Sequence, residues 1–418
     1  MRPAARLLLC ASLLALVSAA SRGEEPPAAS RPPDAAALLD AVGDAPSLRA
    51  ARARAEAARA RTGAAGRFPD PQLEGMYSQV ERPVGGEQFP MWEVTLSQPL
   101  PKAGERAADR DRAAAAVSMA EADYAVMAGD LAADTAVALA EVDAARARAA
   151  LLETQIVRTE NILAALDARL ASGSGRAADR LALQSRVAAL RLLVEQELRL
   201  ADDTLAEARG RLGLAPSAPL PAYSAPAAAE IATDALPASR LAAARASEAR
   251  AMARMARASA RPMTSVGLRF EREEESMGNM DTIGVAFMTE LPFRARRYAR
   301  AEEQAARAEE QAARAESEAA GHRARSALAR AERAERLAAT SARLAEETSA
   351  RLDAEYDSLV RSAGAAGGLG EETSVLLALE ILERQTDTRM QLIDAALTAR
   401  VARAELWRHA PAPLFPTP

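Results

Sequence analysis

A chain of 418 residues has room for two or three ordinary domains. Hydrophobic residues make up 49% of it but aromatics only 3%, with Ala, Leu, Glu and Arg dominant, a balance that suits long, tightly packed helices. The net charge of −5 comes without a long run of like charge, which argues against a nucleic-acid-binding arm and against nucleic acid as a partner.

Residues 1–20 read as an export signal: Arg2 and Arg6 form the charged start, Leu7 to Val17 the apolar stretch, and Val17-Ser18-Ala19 the small-residue cleavage site. That apolar stretch is too short to span a bilayer as a helix. Cys10, the single cysteine, lies inside it. Either it is lost with the signal, the reading favoured by the bulky Leu9 before it, or it is a lipidation site. Loss leaves a mature chain without a thiol, which excludes disulfides and cysteine-ligated metals. No later segment is an apolar run of about 18 residues, so any crossing of a membrane must use strands.

Two repeats follow a Pro/Ala/Ser leader. The first, residues 33–213, starts with a helix over 33–67 for which Asp34 is a plausible N-cap. Pro71 then opens a 30-residue interval closed by Leu100-Pro101, and Pro262 and Leu291-Pro292 bound a second one 191 positions later. Residues 102 to about 169 form one helical pattern, on the order of 100 Å long at ~1.5 Å per residue. Within it Leu152, Ile156, Leu163, Leu166 and Leu170 have coiled-coil spacing, and Val117, Tyr124 and Leu131 repeat at seven. Residues 171–175 break the helix, and 180–212 return with Leu183, Val187, Leu190 and Val194 in stripe, an antiparallel helical hairpin. Residues 214–237 hold five prolines and join the halves. The second repeat, 238–410, runs helix, hairpin 263–291, long helix 294–361, Gly-rich break 362–370 and return helix to 408, before a tail at 411–418.

The hairpin intervals, 72–100 and 263–291, alternate. Tyr77, Trp92, Val94, Leu96, Leu268, Phe270, Val285 and Phe287 fall on apolar faces, while Glu74, Glu93, Glu290, Arg269 and Glu271 fall on polar ones. Strands of about nine to eleven residues with one apolar and one polar face suit a transmembrane barrel with a wet interior. Eight of the 13 aromatics lie in or beside these intervals, as an interfacial girdle requires. The other reading is a pair of soluble hairpins packed on helices. Four strands do not close a barrel, and an open edge in lipid leaves backbone groups unpaired. In lipid, several chains must pool their strands, and a trimer gives twelve.

Catalytic constellations are not visible: the two histidines, His322 and His409, are far apart, and there is neither a Walker loop nor a paired-ligand zinc motif. The chain reads as a non-enzyme without cofactor or metal.

Phe68-Pro-Asp-Pro-Gln-Leu73 is similar to the Pro-rich entry into the first strand of the TolC family of outer-membrane efflux proteins. Leu96-Ser-Gln-Pro-Leu-Pro101 with Lys102-Ala-Gly-Glu-Arg106 resembles that family's exit into its first long helix, Gly173 to Asp179 its helix-turn-helix tip, and Ala208 to Leu214 the close of its first repeat. The second tip, Gly364 to Gly370, is longer and richer in Gly than the pattern. The modest length and short hairpin loops look most like the branch serving heavy-metal efflux pumps. The resemblance implies a mainly α fold with a small β part: coiled-coil-like helical hairpins, plus four strands given to a 12-stranded barrel shared by a homotrimer in outer-membrane lipid. It implies a passive exit duct for an inner-membrane pump of RND type and a periplasmic adaptor. In it, Glu74, Glu93, Glu290, Arg269 and Glu271 line the pore, and Gly173, Gly175, Asp179, Gly364 and Gly370 form the periplasmic tips and adaptor contact. Asp179 itself reads as a helix N-cap or a ring charge, the cap favoured. A periplasmic adaptor and a structural coiled-coil protein remain as alternatives.

Overall fold

The computed structural model describes residues 33–81, 88–173, 176–226, 231, 236–275, 278–365 and 372–411. The expected signal, Cys10, Gly175, Gly370 and most of the tail fall outside them. Helices α1 (Pro33–Gly43) and α2 (Pro46–Thr62) precede β1 (Gln72–Glu81) and β2 (Gln88–Leu100). Then come α3 (Glu105–Ala171), α4 (Ala177–Leu212) and α5 (Pro237–Ser259). Next are β3 (Met263–Glu275), β4 (Gly278–Glu290), α6 (Ala295–Ala365), α7 (Glu372–Ala404) and a 3-10 turn, Glu405–His409.

The single first helix expected over 33–67 is two helices. Pro46 has no N–H to continue the α1 ladder, and its fixed φ suits a helix start. The last turn of α1 tightens instead, with the Ala45 N–H donating to the Val42 carbonyl at 3.1 Å. Asp34 lies within the first turn of α1 rather than capping it.

Two compact units form. One holds residues 49–126 and 236–322 of the described chain, and all four strands. Its strands make one antiparallel sheet in the order β1-β2-β3-β4, so the two hairpins join through β2 and β3. Its helices pair on alanine. Ala51, Ala55 and Ala58 of α2 and Ala108, Ala115 and Ala122 of α3 are buried; 191 positions later, so are Ala242, Ala246 and Ala249 of α5 and Ala299, Ala306 and Ala313 of α6. Alanine combines the best helix propensity with a side chain small enough for close helix approach. Arg59 with Glu121 (2.7 Å) holds α2 antiparallel to α3. Arg257 with Glu303, Arg250 with Glu310 (2.8 Å) and Arg245 with Glu316 (3.0 Å) do the same for α5 and α6. Each pair stands at the rim of an apolar seam and sets direction more than stability.

The other unit holds residues 33–48, 127–231 and 323–411 of the described chain. Ile162, Leu166, Leu183, Ala378 and Leu382 make one cluster, with Tyr356 against it. The α3 seam is shifted from the leucine stripe read in the sequence. Leu152, Gln155, Thr159, Ile162 and Leu166 are buried, while Ile156, Leu163 and Leu170 are half-buried. The polar members fit because Thr159 Oγ1 donates back to the Gln155 carbonyl at 2.8 Å, and Thr386 Oγ1 to that of Leu382 at 2.8 Å. Near the end of the chain Trp407 is buried, its Nε1–H donating to the Ser224 carbonyl at 3.0 Å. Arg408 reaches Asp130 (2.8 Å) and Asp134 (2.6 Å) on α3. A Cβ on Gly129 would lie 2.8 Å from the Trp407 carbonyl, so the close approach there requires glycine.

Candidate functional site

The register sorts the sheet's side chains. Leu73 lies opposite Leu96, Leu96 opposite Leu268, and Leu268 opposite Val285. Directly paired residues share a face and successive residues alternate. Tyr77, Trp92, Val94, Leu96, Leu268, Phe270, Val285 and Phe287 therefore occupy one face together. Glu74 opposite Thr95, Thr95 opposite Arg269, Glu93 opposite Glu271, and Met263 opposite Glu290 occupy the other.

Exposure decides what the faces do. On the apolar face Leu268 is 58% and Phe287 73% exposed. On the two central strands the polar residues Glu93, Thr95, Arg269 and Glu271 are the half-buried ones, while Trp92, Val94, Leu96, Leu268 and Phe270 stand out. A sheet of a water-soluble protein does the reverse, packing its apolar face on a core. This sheet is inside out, as a barrel wall between lipid and water must be.

The polar face is acidic. Arg269 is the one base among its described residues, against Glu74, Glu93, Glu271, Glu273 and Glu290. Its Nη2 bridges Glu93 Oε2 at 2.8 Å and Glu271 Oε2 at 3.1 Å, so two like charges placed opposite each other share one guanidinium. On the apolar face the row Tyr77, Trp92, Arg272, Asp281 crosses all four strands toward the hairpin loops. Tyr77 and Trp92 stack with ring centroids 4.7 Å apart, and Arg272 pairs with Asp281 at 2.7 Å and 2.9 Å. Aromatic rings and a neutralised ion pair together mark an interfacial level. Alternation in the sequence finds the rings, but the ion pair depends on register and was missed.

At the first helical tip, Gly173 takes φ +80°, and its N–H donates to the Leu170 carbonyl at 3.1 Å, closing α3. Asp179 does not cap α4: the N-cap is Arg176, without a side-chain bond, and Asp179 is the third helical residue. There it faces the partial positive charge of the helix start. At the second tip α6 runs on through Gly364 to Ala365, past the break expected from residue 362, since an isolated glycine weakens a helix without ending it. Arg158 Nη1 donates to Gln385 Oε1 at 2.5 Å, Gln385 Nε2 to Asp353 Oδ1 at 3.1 Å, and Arg389 Nη2 reaches Asp353 Oδ2 at 3.3 Å. This polar layer joins α3, α6 and α7.

Burial, then Arg323, Arg330 and Arg408, hold His409 below its usual pKa. Among the described residues no group of three or more His, Cys, Asp or Glu is placed to hold a metal ion, and no helix is long and apolar enough to cross a membrane.

Residues 38–213 match the family model described as outer membrane efflux protein. Among solved structures the fold is similar to the outer-membrane channel OprN, with a TM-score of 0.71, 18% identity, and 91% of this chain and 90% of that chain covered. It is similar to VceC of Vibrio cholerae (TM-score 0.67, 16% identity, 88% and 96% covered). It is also similar to the open-state MtrE channel of Neisseria gonorrhoeae (TM-score 0.68, 18% identity, 90% and 89% covered). No curated protein matches the sequence.

Proposed function

We infer that this chain, which belongs through residues 38–213 to the outer membrane efflux protein family, is the exit duct of a tripartite export system. The observation that carries the reading is the inside-out sheet, exposed and apolar on one side, acidic on the other, where the polar residues of the two central strands are half-buried. Such a surface meets lipid with Leu73, Leu96, Leu268 and Val285 and water with Glu93, Arg269 and Glu271. β1 and β4 are edges of the sheet, and backbone groups at an edge in hydrocarbon need partners. Three copies supply twelve strands, each copy giving one hairpin from repeat 33–213 and one from 238–410. The helical tips at Gly173–Asp179 and beyond Gly364 then meet a periplasmic adaptor and an RND-type pump, which supplies the energy. The acidic inner face makes the bore prefer cations.

The test is fractionation followed by planar bilayers. The full-length protein should resist extraction by salt, leave the outer membrane only with detergent, and conduct potassium with a reversal potential shifted toward cations. Glu93→Gln/Glu271→Gln should shrink that shift. A periplasmic adaptor or a free coiled coil would wash off with salt and conduct nothing. That outcome refutes the duct.

A further inference from the structure

The long helices α3 and α6 leave their hairpins through the same Leu-Pro step, Leu100-Pro101 and Leu291-Pro292, 191 positions apart. Beyond it their charges diverge. At the same offset Lys102 is replaced by Phe293, Ala103 by Arg294, Glu105 by Arg296, Ala107 by Tyr298 and Asp109 by Arg300, while the buried Ala108 remains alanine at Ala299. Residues 102–109 set Lys102 and Arg106 against Glu105 and Asp109. Residues 293–300 hold four arginines, Arg294, Arg296, Arg297 and Arg300, and no acid.

The charges at the start of α3 are used inside the protein. Glu105 Oε2 accepts the Lys102 N–H at 2.9 Å, and Asp109 Oδ2 accepts the Gly66 N–H at 2.8 Å. Arg106 donates to the Gly66 carbonyl at 2.6 Å, its guanidinium 4.0 Å from the Phe68 ring centre, and Lys102 Nζ reaches the Ser259 carbonyl at 3.2 Å. The loop that supplies Gly66 and Phe68, residues 63–71, shrinks to residues 260–262 before β3, so the start of α6 lacks that cover. Its four arginines are exposed, and none makes a side-chain ion pair or hydrogen bond among the described residues. They also crowd the positive end of the α6 dipole, where like charge is unfavourable. An arrangement that costs the chain stability fits an anion brought from outside it.

The surroundings say which anion. The exposed apolar face of β4 runs through Ile283, Val285 and Phe287 and continues past the strand to Leu291. Phe293, 87% exposed, and Tyr298, 68% exposed, then stand among the arginines. Aromatic and basic side chains where an apolar band ends mark a membrane interface, and juxtamembrane arginines attract anionic lipid. A guanidinium also matches phosphate geometry bidentately.

We propose that Phe293, Arg294, Arg296, Arg297, Tyr298 and Arg300 form a docking surface for anionic phospholipid headgroups of the periplasmic leaflet. The surface rests on the duct reading above, which puts the apolar face of β4 in lipid and the start of α6 just below it. Arginine–phosphate pairs there hold the end of β4 at the level of the headgroups.

The test takes the full-length protein from micelles containing equal phosphatidylglycerol and phosphatidylcholine and counts the retained lipids by native mass spectrometry. Wild type should retain phosphatidylglycerol over phosphatidylcholine by about fivefold, roughly the effect of one arginine at an anionic surface. Arg294→Gln/Arg296→Gln/Arg297→Gln/Arg300→Gln should conduct potassium in planar bilayers yet retain the two lipids almost equally. Should that variant not insert, Arg296→Gln/Arg300→Gln should lower the ratio by a smaller amount. An equal ratio in wild type and variant, or no preference in wild type because a neighbouring copy neutralises the arginines, overturns the surface while potassium conductance leaves the duct standing. Inorganic phosphate that abolishes the preference at constant ionic strength makes the arginines a free-anion site and overturns the lipid assignment. A wild-type protein that conducts no potassium overturns both readings.

Discussion

Leu96 and Thr95 are neighbours in β2 and should respond oppositely to the same substitution. Leu96 sits between Leu73 and Leu268 on the exposed apolar face, whereas Thr95 sits between Glu74 and Arg269 on the sheltered face. The outer positions of β2 run from Trp92 to Leu100. At ~3.4 Å per residue this is about 27 Å of strand, or roughly 20 Å of height at the ~40° tilt of such barrels. Leu96 is at the middle of that band, where an arginine facing lipid costs about 2–4 kcal/mol per chain. Arginine at 95 meets water, with Glu74 and Glu93 offsetting Arg269, and should change stability by under about 1 kcal/mol. Urea titration of refolding into lipid vesicles separates the two, because 2–4 kcal/mol is a factor of about 30 to 1,000 in the folding constant. Equal tolerance of Leu96→Arg and Thr95→Arg, or greater harm from Thr95→Arg, would refute the assignment of the faces.

Gly213 caps α4 at φ +69°, and a Cβ there would lie 2.6 Å from Pro46 Cδ. Gly213→Ala should lower thermal stability by about 2–4 kcal/mol, combining left-handed strain with displacement of the proline ring; an unchanged melting curve in detergent contradicts this. Hydrogen bonds from Arg257 and Arg250 hold the Glu303 and Glu310 carboxyls below their ordinary range. A depressed carboxylate stabilises above its unfolded pKa, and the contribution is lost as pH falls through the lower folded value. Arg250→Gln/Arg257→Gln should therefore unfold at a higher pH in an acid titration than wild type, with the difference vanishing once all carboxylates are protonated. Gly173→Val meets nothing within 4 Å but strains a left-handed turn; the variant should reach the outer membrane yet lose export, and full export would count against adaptor docking at this tip.

The strands and their faces were legible because alternation in β2 and β4 needs only hydrophobicity. The helical seams were legible only where leucine and valine form them: Leu183, Val187 and Leu190 of α4 and Leu152 and Leu166 of α3 are buried as their spacing implies. The alanine seams were not. Alanine is common throughout the chain and reads alike whether buried or exposed, so Ala108, Ala115 and Ala122 stand out only once their counterparts Ala299, Ala306 and Ala313 are found 191 positions on. The shift of the α3 seam to Gln155 and Thr159 had no hydrophobic signal, since back-bonding to the helix carbonyls is what makes a hydroxyl cheap to bury. Pro46 did carry the signal for the break between α1 and α2.

The 191-residue offset also constrains how copies would join. β3 begins 191 positions after β1, and β4 follows β2 with nearly the same shift. The strand order β1-β2-β3-β4 therefore repeats itself if β4 of one copy pairs with β1 of the next as β2 pairs with β3. In the β2–β3 ladder Leu96 is opposite Leu268 and Gln98 opposite Val266. Carrying that register across copies places Phe287 opposite Tyr77, and Thr289 opposite Gly75, of a second copy. Phe287 and Tyr77 both belong to the apolar face, so the ladder continues without flipping a side chain, which a one-residue slip would do. Cys10 is the one native cysteine, and Cys10→Ser in the same background removes any competing thiol. Phe287→Cys/Tyr77→Cys should then form intermolecular disulfides on oxidation and run as a cross-linked oligomer on non-reducing gels. Cross-linking of Phe287→Cys/Leu73→Cys in preference to that pair would mean that the copies join in another register, and that the equivalence of the two hairpins ends at the edge of the chain.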